Sequence, residues 1–407
     1  MSTLMQYRRF GRTELAMPVF SCGSMRYQFR WQDLPERDIP KANQENLERT
    51  VARALELGIN HIETARGYGS SERQLGRALQ ALNRDGLIVQ TKIEPNADPK
   101  LFEQEFHDSL ARLRLDHVDL LAIHGINNQQ RVDWTLRDGG CFAVAQRLRE
   151  QGKARFVGFS THAPLEQILQ CVRFGEPRTG LGFDYVNLHF YYVMQRNWAA
   201  IAEARARDMG VFIISPTDKG GRLYAPPEKL VRLCAPLSPI VFNDLFCLSH
   251  PEIATLSIGA ARPSDFDEHM KTLALLERAR EECEPIDQRL REAMRLATGY
   301  ADPEHFLPGM PEFDRLPKRY NLATILWLLN LAEGWDLVEF GRWRFGMLDN
   351  ADHWFAGNRP RSLSEIDDAA LLDALGGYPE KEAIVKRLRR AVELLSGQDS
   401  RRLSQGG

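Results

Sequence analysis

The stretch INHIETARGYGSSERQLGRAL, residues 59–79, carries the two signals whose alternation decides the fold. Its first part, INHIET, is a short apolar run with branched side chains, the pattern of a buried strand, and it closes on Glu63 and Thr64 ahead of a loop holding Tyr68 between Gly67 and Gly69. Its second part reads as a helix. Ser71 is expected as N-cap with Gln74 as its capping-box partner, and Leu75, Ala78, Leu79 and Leu82 form the apolar stripe. Just upstream, Leu47, Val51, Ala54 and Leu55 stand at i, i+4, i+7 and i+8, one face of another helix, and Gly58 supplies its stop.

Outward from this unit the same alternation continues from about residue 19 to about residue 260. The runs VFSCG, INHIET, LIVQTK, VDLLAIH, FVGFS, FDYVNLHF, VFIIS and IATLSIG recur, with helix-length amphipathic stretches between most of them. Eight such strands alternating with helices imply parallel βα units, and eight is the number that closes a (β/α)8 TIM barrel. A doubly wound sheet is the rival architecture. It would normally announce its nucleotide by a GxGxxG after the first strand, and none stands there.

Composition narrows the function classes. Lys+Arg 53 against Asp+Glu 55 gives a net charge of -2 without a basic stripe, so nucleic acid is not an expected partner. The most apolar stretch, Leu322–Ala332, is far shorter than the roughly 20 residues that span a bilayer. The beginning of the sequence, MSTLMQYRRFGRTEL, has no apolar core of signal-peptide length. No membrane association and a cytoplasmic location are therefore expected. The six cysteines are scattered without a CxxC pair, which reads as reduced structural thiols and no metal site.

In such a barrel, polar residues at the C-terminal ends of strands face the active site. The strand ends here are Glu63, Lys92, His124, Ser160 and Ser215, with Tyr68 on the loop after the first of them. A tyrosine with a reference pKa of about 10 is a poor acid near neutrality, but a nearby ammonium favours the phenolate and an imidazole can share the proton. That combination can protonate an alkoxide as it develops on a carbonyl carbon receiving hydride. Taken singly, Glu63 reads as a strand-end surface acid, Tyr68 as a packed loop aromatic, Lys92 as a solvated charge and His124 as a buried structural imidazole. Their joint placement favours chemistry.

The blocks YRRFGRTEL, FSCGSMR, ETARGYGSSERQLGRAL, QTK, DLLAIHGIN, VGFST, SPTDKGGRL and IGAARPSDFDEHM, in this order over roughly residues 5–280, resemble the aldo-keto reductase superfamily. The resemblance implies an NADPH-dependent carbonyl reductase acting on a small-molecule aldehyde or ketone. Tyr68 takes the place of the proton donor, with Lys92 and His124 as its lysine and histidine. The family aspartate falls on Glu63, one methylene longer. For the cofactor, the resemblance implies Gly23 and Ser24 at the ribose and Ser160 at the carboxamide, with Thr161 where the family has an amide. Asn187 stands for a glutamine, and Ile214 for an aromatic that stacks on the nicotinamide. Ser215 and Gly220 belong to a turn near the pyrophosphate, where Lys219 and Arg222 add charge. Gly259, Arg262 and Glu268 belong to the adenosine loop, where His269 replaces an asparagine and Asp265 a neutral or basic group. NADP is the first choice of cofactor and NAD an open alternative.

Residues 1–284 are assigned to the barrel and 285–407 to an additional C-terminal helical domain. Leu322, Ile325, Leu326, Leu328 and Leu329 are dense enough for a buried helix, and Ile384, Leu388, Val392 and Leu395 mark another. Residues 307–358 resemble the ferredoxin-like extension of one bacterial branch of the family, without its CxxCxxCxxxCP runs, which implies a cysteine-less relic with no iron–sulfur cluster. Trp335, Trp343 and Trp354 are expected in its core. The insertion Arg26–Ile39 and the loop Gly125–Gly140 are expected to wall the substrate pocket. The alternative to an oxidoreductase is a nucleotide-binding barrel with little or no catalysis, acting as a regulatory or scaffolding subunit. Neither the substrate nor an oligomeric state is named by these residues.

Overall fold

The computed structural model describes residues 4–176, 181–350 and 355–397. Eight parallel strands close into one barrel: β3 (Phe20–Gly23), β4 (His61–Glu63), β5 (Ile88–Ile93), β6 (Val118–Ile123), β7 (Ala154–Ser160), β8 (Tyr185–Leu188), β9 (Gly210–Ile213) and β10 (Thr255–Gly259). They run round the barrel in chain order, and β10 pairs with both β9 and β3 to complete the circle. An antiparallel hairpin, β1 (Tyr7–Arg9) and β2 (Ala16–Pro18), precedes them. Phe10 and Met17 from this hairpin pack with Ile88, Leu120, Ala122, Tyr185, Phe212 and Ala254 into one buried cluster. The expected (β/α)8 barrel is thus the observed one, because each apolar run is buried on both faces. In β5 even Gln90 and Lys92 are enclosed.

The helix α1 (Lys41–Glu56) buries Leu47, Val51 and Ala54, with Leu55 half-covered, and the chain turns away at Gly58, where φ is +82°. The helix α2 (Ser71–Leu79) corrects the expected cap. Ser71 is its first residue, Ser70 precedes it, and neither side chain caps the helix in the expected way. Both serines are buried, so their hydroxyls serve tertiary partners instead: Ser71 donates to Ser24 Oγ at 2.8 Å, and Ser70 donates to Gln74 Oε1 at 2.8 Å. Gln74 in turn accepts from the Phe29 amide at 3.0 Å, which ties the insertion after β3 to this helix. Leu82 lies beyond the helix end.

The described residues form two compact units. One takes the chain up to Lys219 together with Asn243–Ala279, and the other takes Gly220–Phe242 and the residues from Arg280 on. Within the second unit, α3 (Leu322–Trp335) is buried along nearly its whole length and packs against α4 (Val338–Phe345) and α5 (Lys381–Leu395). Ile384, Leu388, Val392 and Leu395 are the buried stripe of α5. Trp335 is buried and donates its indole N–H to the Leu290 carbonyl at 2.9 Å, and Trp343 is buried as well. Trp354 lies outside the described residues. Among the described residues no single helix is long and apolar enough to cross a membrane.

Candidate active site

Strand register sets the floor of the site. Gly23, Glu63 and Gln90 are cross-strand partners, as are Lys92 with Ala122 and Ser160 with Asn187. Glu63, the last residue of β4, reaches Lys92 with Oε2, and the two form a buried ion pair. The other oxygen, Oε1, accepts a hydrogen bond from Ser257 Oγ on β10 at 2.9 Å. Lys92 Nζ also donates to the Thr64 carbonyl at 2.9 Å.

Above this pair lies Tyr68. Its ring centroid is 5.0 Å from Lys92 Nζ and 5.7 Å from the His124 ring, which meets it edge-on at 82°. Gly69, at φ +54°, turns the chain after Tyr68 so closely under Arg30 and Trp31 that a side chain there would strike their backbone. The Trp31 ring in turn stands edge-on to Tyr68 at 6.1 Å. The three strand-end residues Glu63, Lys92 and His124 and the loop residue Tyr68 are therefore brought together in space. Burial pushes the Lys92 ammonium down to about 7, and the adjoining Glu63 carboxylate acts against that push.

The cofactor candidates occupy several strand ends. Gly23 faces Glu63 and β10: a Cβ there would lie 2.6 Å from Ser257 Oγ and 3.0 Å from Glu63 Oε1. The Ser24 hydroxyl is buried against Ser71. Ser160 Oγ accepts from the Gly125 amide at 3.1 Å, and Thr161 Oγ1 donates to the Ile126 carbonyl at 2.7 Å, lacing the ends of β6 and β7. Asn187 is fully buried at the end of β8, and neither atom of its amide meets a protein partner. An amide left so is costly unless a ligand pairs it, and a primary carboxamide offers the matching donor and acceptor. By that test the site fits a nicotinamide.

Ser215 takes φ +51° and its carbonyl accepts from the Lys219 amide at 2.9 Å, opening the short helix Pro216–Lys219. Ile214 packs against the apolar cluster of the barrel. Gly220 falls in the second unit. The Gly259 carbonyl accepts from Arg26 at 2.7 Å. Arg262 is exposed and pairs with Asp265 at 3.2 Å, while Glu268 pairs with Lys271 at 2.6 Å. His269 turns inward, 2.6 Å from Asp244 and 3.4 Å from Thr217.

Sequence reasoning missed two features. Ser257 is one of two hydroxyl residues, with Thr255, inside the apolar run IATLSIG, and nothing in the run sets it apart; only the fold places it opposite Ser21, two positions before Gly23. The second is a chain of polar side chains joining the ends of β7, β8 and β9. Tyr191 donates to the Ile214 carbonyl, which can only accept. Its oxygen must then accept from His189 Nδ1, 2.5 Å away, leaving His189 Nε2 to accept from His162. Lys219 Nζ lies 3.5 Å from His162 Nδ1.

A model of the aldo/keto reductase family matches residues 21–225. Among curated proteins, the L-galactose dehydrogenase of Arabidopsis thaliana is 37% identical over 129 residues, 29% of this chain and 38% of that protein. The NADH-specific methylglyoxal reductase of Escherichia coli is 26% identical over 194 residues, 42% of this chain and 56% of that protein. The matched regions thus span about four-tenths to just over half of those relatives. An aldo-keto reductase from Bacillus halodurans, in its holo form, superposes with a TM-score of 0.53 at 20% identity, covering 70% of this chain and 96% of that one, a likeness of fold.

Proposed function

The chain belongs to the aldo/keto reductase family, and from that premise we propose that it reduces the carbonyl of a small aldehyde or ketone to an alcohol, with NADP(H) as hydride carrier. The observation that carries this reading is the buried Glu63–Lys92 pair beneath the Tyr68 ring, with His124 at its edge. A nicotinamide, when bound, supplies the hydride to the carbonyl carbon. Tyr68 gives its hydroxyl proton to the carbonyl oxygen as negative charge develops there. Lys92 and His124 stabilise the phenolate left behind, and Glu63 keeps Lys92 charged against its burial. Asn187 and Ser160 would hold the carboxamide. The catalytic groups all lie within the proposed barrel domain, residues 1–284.

NAD(H) is the alternative carrier. It draws on Asp265, whose carboxylate already pairs with Arg262 and stands 3.6 Å from Arg26, a fixed negative charge on the loop where a 2′-phosphate is expected. A barrel that binds a nucleotide with little catalysis is the alternative function and draws on Glu63 in place of aspartate. The seating of the longer carboxylate between Ser257 and Lys92 supports the catalytic reading.

The test is a fluorescence titration of NADPH and NADH, followed by turnover on a panel of aldehydes and ketones, for the parent and Tyr68→Phe. Removing only the proton donor is expected to lower turnover by at least about a hundredfold while the cofactor Kd stays within about twofold. Turnover retained by Tyr68→Phe overturns the assignment, and nucleotide binding without parental turnover on any carbonyl supports the non-catalytic alternative.

A further inference from the structure

We propose that Ser257 is a positioning residue for the reaction, holding the Glu63 carboxylate in the one orientation that keeps Lys92 charged beneath Tyr68. The inference rests on the oxidoreductase reading of Glu63, Lys92, Tyr68 and His124. A buried carboxylate has two oxygens to satisfy, and here each has a separate partner: Oε2 pairs with Lys92 and Oε1 takes the Ser257 hydroxyl proton at 2.9 Å. Ser257 is itself buried and comes from β10, on the far side of β3 from Glu63.

Between the two strands lies Gly23. Its missing side chain is part of the arrangement, since a Cβ there would lie 2.6 Å from Ser257 Oγ and 3.0 Å from Glu63 Oε1. A glycine on β3 and a hydroxyl on β10 therefore make a slot for a carboxylate, closed at its end by a charge-assisted hydrogen bond. Remove that bond, and a buried oxygen is left unsatisfied and the carboxylate can turn into the space beside Gly23. The ammonium then loses the aligned partner that opposes its desolvation, and the Thr64 carbonyl is left as the hydrogen-bond anchor of its position under the Tyr68 ring.

The experiment is a double-mutant cycle of Ser257→Ala with Glu63→Ala, read in two ways. Steady-state kinetics follow kcat, KM and the alkaline limb of the pH profile. NMR of lysine labelled with carbon-13 at Cε follows the titration of Lys92 in the ligand-free protein. In the parent background, Ser257→Ala is expected to lower kcat about ten- to a hundredfold with little change in KM, as misplacement of a reacting group does. The alkaline limb and the Lys92 titration should both move to lower pH. In the Glu63→Ala background, the same substitution should move neither. Ser257→Cys keeps the volume and weakens the donor, so it should shift both readouts less and in the same direction, and it carries the test if the alanine variant does not fold. An unmoved Lys92 titration in Ser257→Ala or Ser257→Cys, or equal losses in both backgrounds, overturns the proposal. If Glu63→Ala itself leaves rate and profile unchanged while Tyr68→Phe is inactive, Glu63 and with it Ser257 drop out and the proton-donor reading stands. If Tyr68→Phe is also fully active, the reading of the whole site fails.

Discussion

An ammonium enclosed in a barrel is costly unless a carboxylate stays beside it, and Lys92 is only 1% exposed. Its pKa, pushed from 10.5 down to about 7 by burial, makes two linked predictions. The charged form is the one that favours the Tyr68 phenolate, so reduction should decline as pH rises through about 7. Glu63→Ala removes the charge that opposes desolvation, so this limb should move to still lower pH and activity should fall far more than fold stability. Glu63→Asp keeps the charge but shortens the reach, and is expected to retain a substantial fraction of activity with the limb in place. Stability gives the second reading. Between about 7 and 10.5 the unfolded chain holds the proton that the folded Lys92 has released, so this group's contribution to stability rises with pH across that window and is lost as pH falls through 7. Thermal melts of Lys92→Met against the parent check it: the difference in slope should vanish outside the window, and equal slopes inside it would refute the lowered pKa. Glu63, Lys92 and His124 were legible because each closes an apolar run, and Tyr68 because it stands on the loop that follows the first of them. Ser257 was not, because a serine inside such a run reads the same whether it bonds a neighbouring backbone or a carboxylate two strands away.

Elements were legible to the degree that burial imposes a period. Every barrel strand is an apolar run bounded by turn residues, so its existence follows from composition alone. Helix starts are a different matter. Ser70, Ser71 and Gln74 contain the letters of a cap, yet their side chains are used by Ser24, Thr64 and Phe29, partners from the neighbouring strand ends and the insertion after β3. A local rule loses when tertiary partners satisfy the same atoms. Side-chain packing between strands is equally invisible in sequence. Gly158 on β7 stands beside its β8 partner Tyr185, whose ring is fully buried, and a Cβ at Gly158 would come within 2.6 Å of three ring atoms. Gly158→Ala must therefore displace either the ring or the strand. We expect a loss of about 1–3 kcal/mol, the usual cost of overpacking a core, read as a lower urea midpoint at unchanged m-value. A midpoint equal to the parent's would mean that the barrel interior is looser than this contact implies.

At the scale of the whole molecule, the repeating half of the chain declared its architecture and the remainder declared only its apolar helices. Leu322–Trp335 and Lys381–Leu395 could be read from density and spacing, whereas the segments joining them, such as the short turns Phe313–Arg315 and Pro317–Arg319, carry no period to read. The assignment of Gly220–Phe242 to the second unit is likewise a matter of long-range contacts that no local pattern carries. All six cysteines are buried thiols with no disulfide among them, and they sit on separate elements: Cys22 on β3, Cys141, Cys171, Cys234, Cys247 and Cys283 each on a different helix. Burial pushes the thiols of Cys22, Cys234 and Cys283 up to about 12, away from the thiolate that both metal ligation and disulfide exchange require. An iron–sulfur cluster takes four cysteine ligands, and the second unit offers only Cys234 and Cys283. Anaerobic incubation with iron and sulfide, followed by gel filtration, should therefore return a colourless protein without bound iron. A thiol reagent should modify the native protein slowly and all six cysteines at once after denaturation. Stoichiometric iron with a visible absorption band would show that the chain recruits ligands other than its own clustered thiols, and rapid native modification would show that at least one of these cysteines is not held in the packed interior that its raised pKa presupposes.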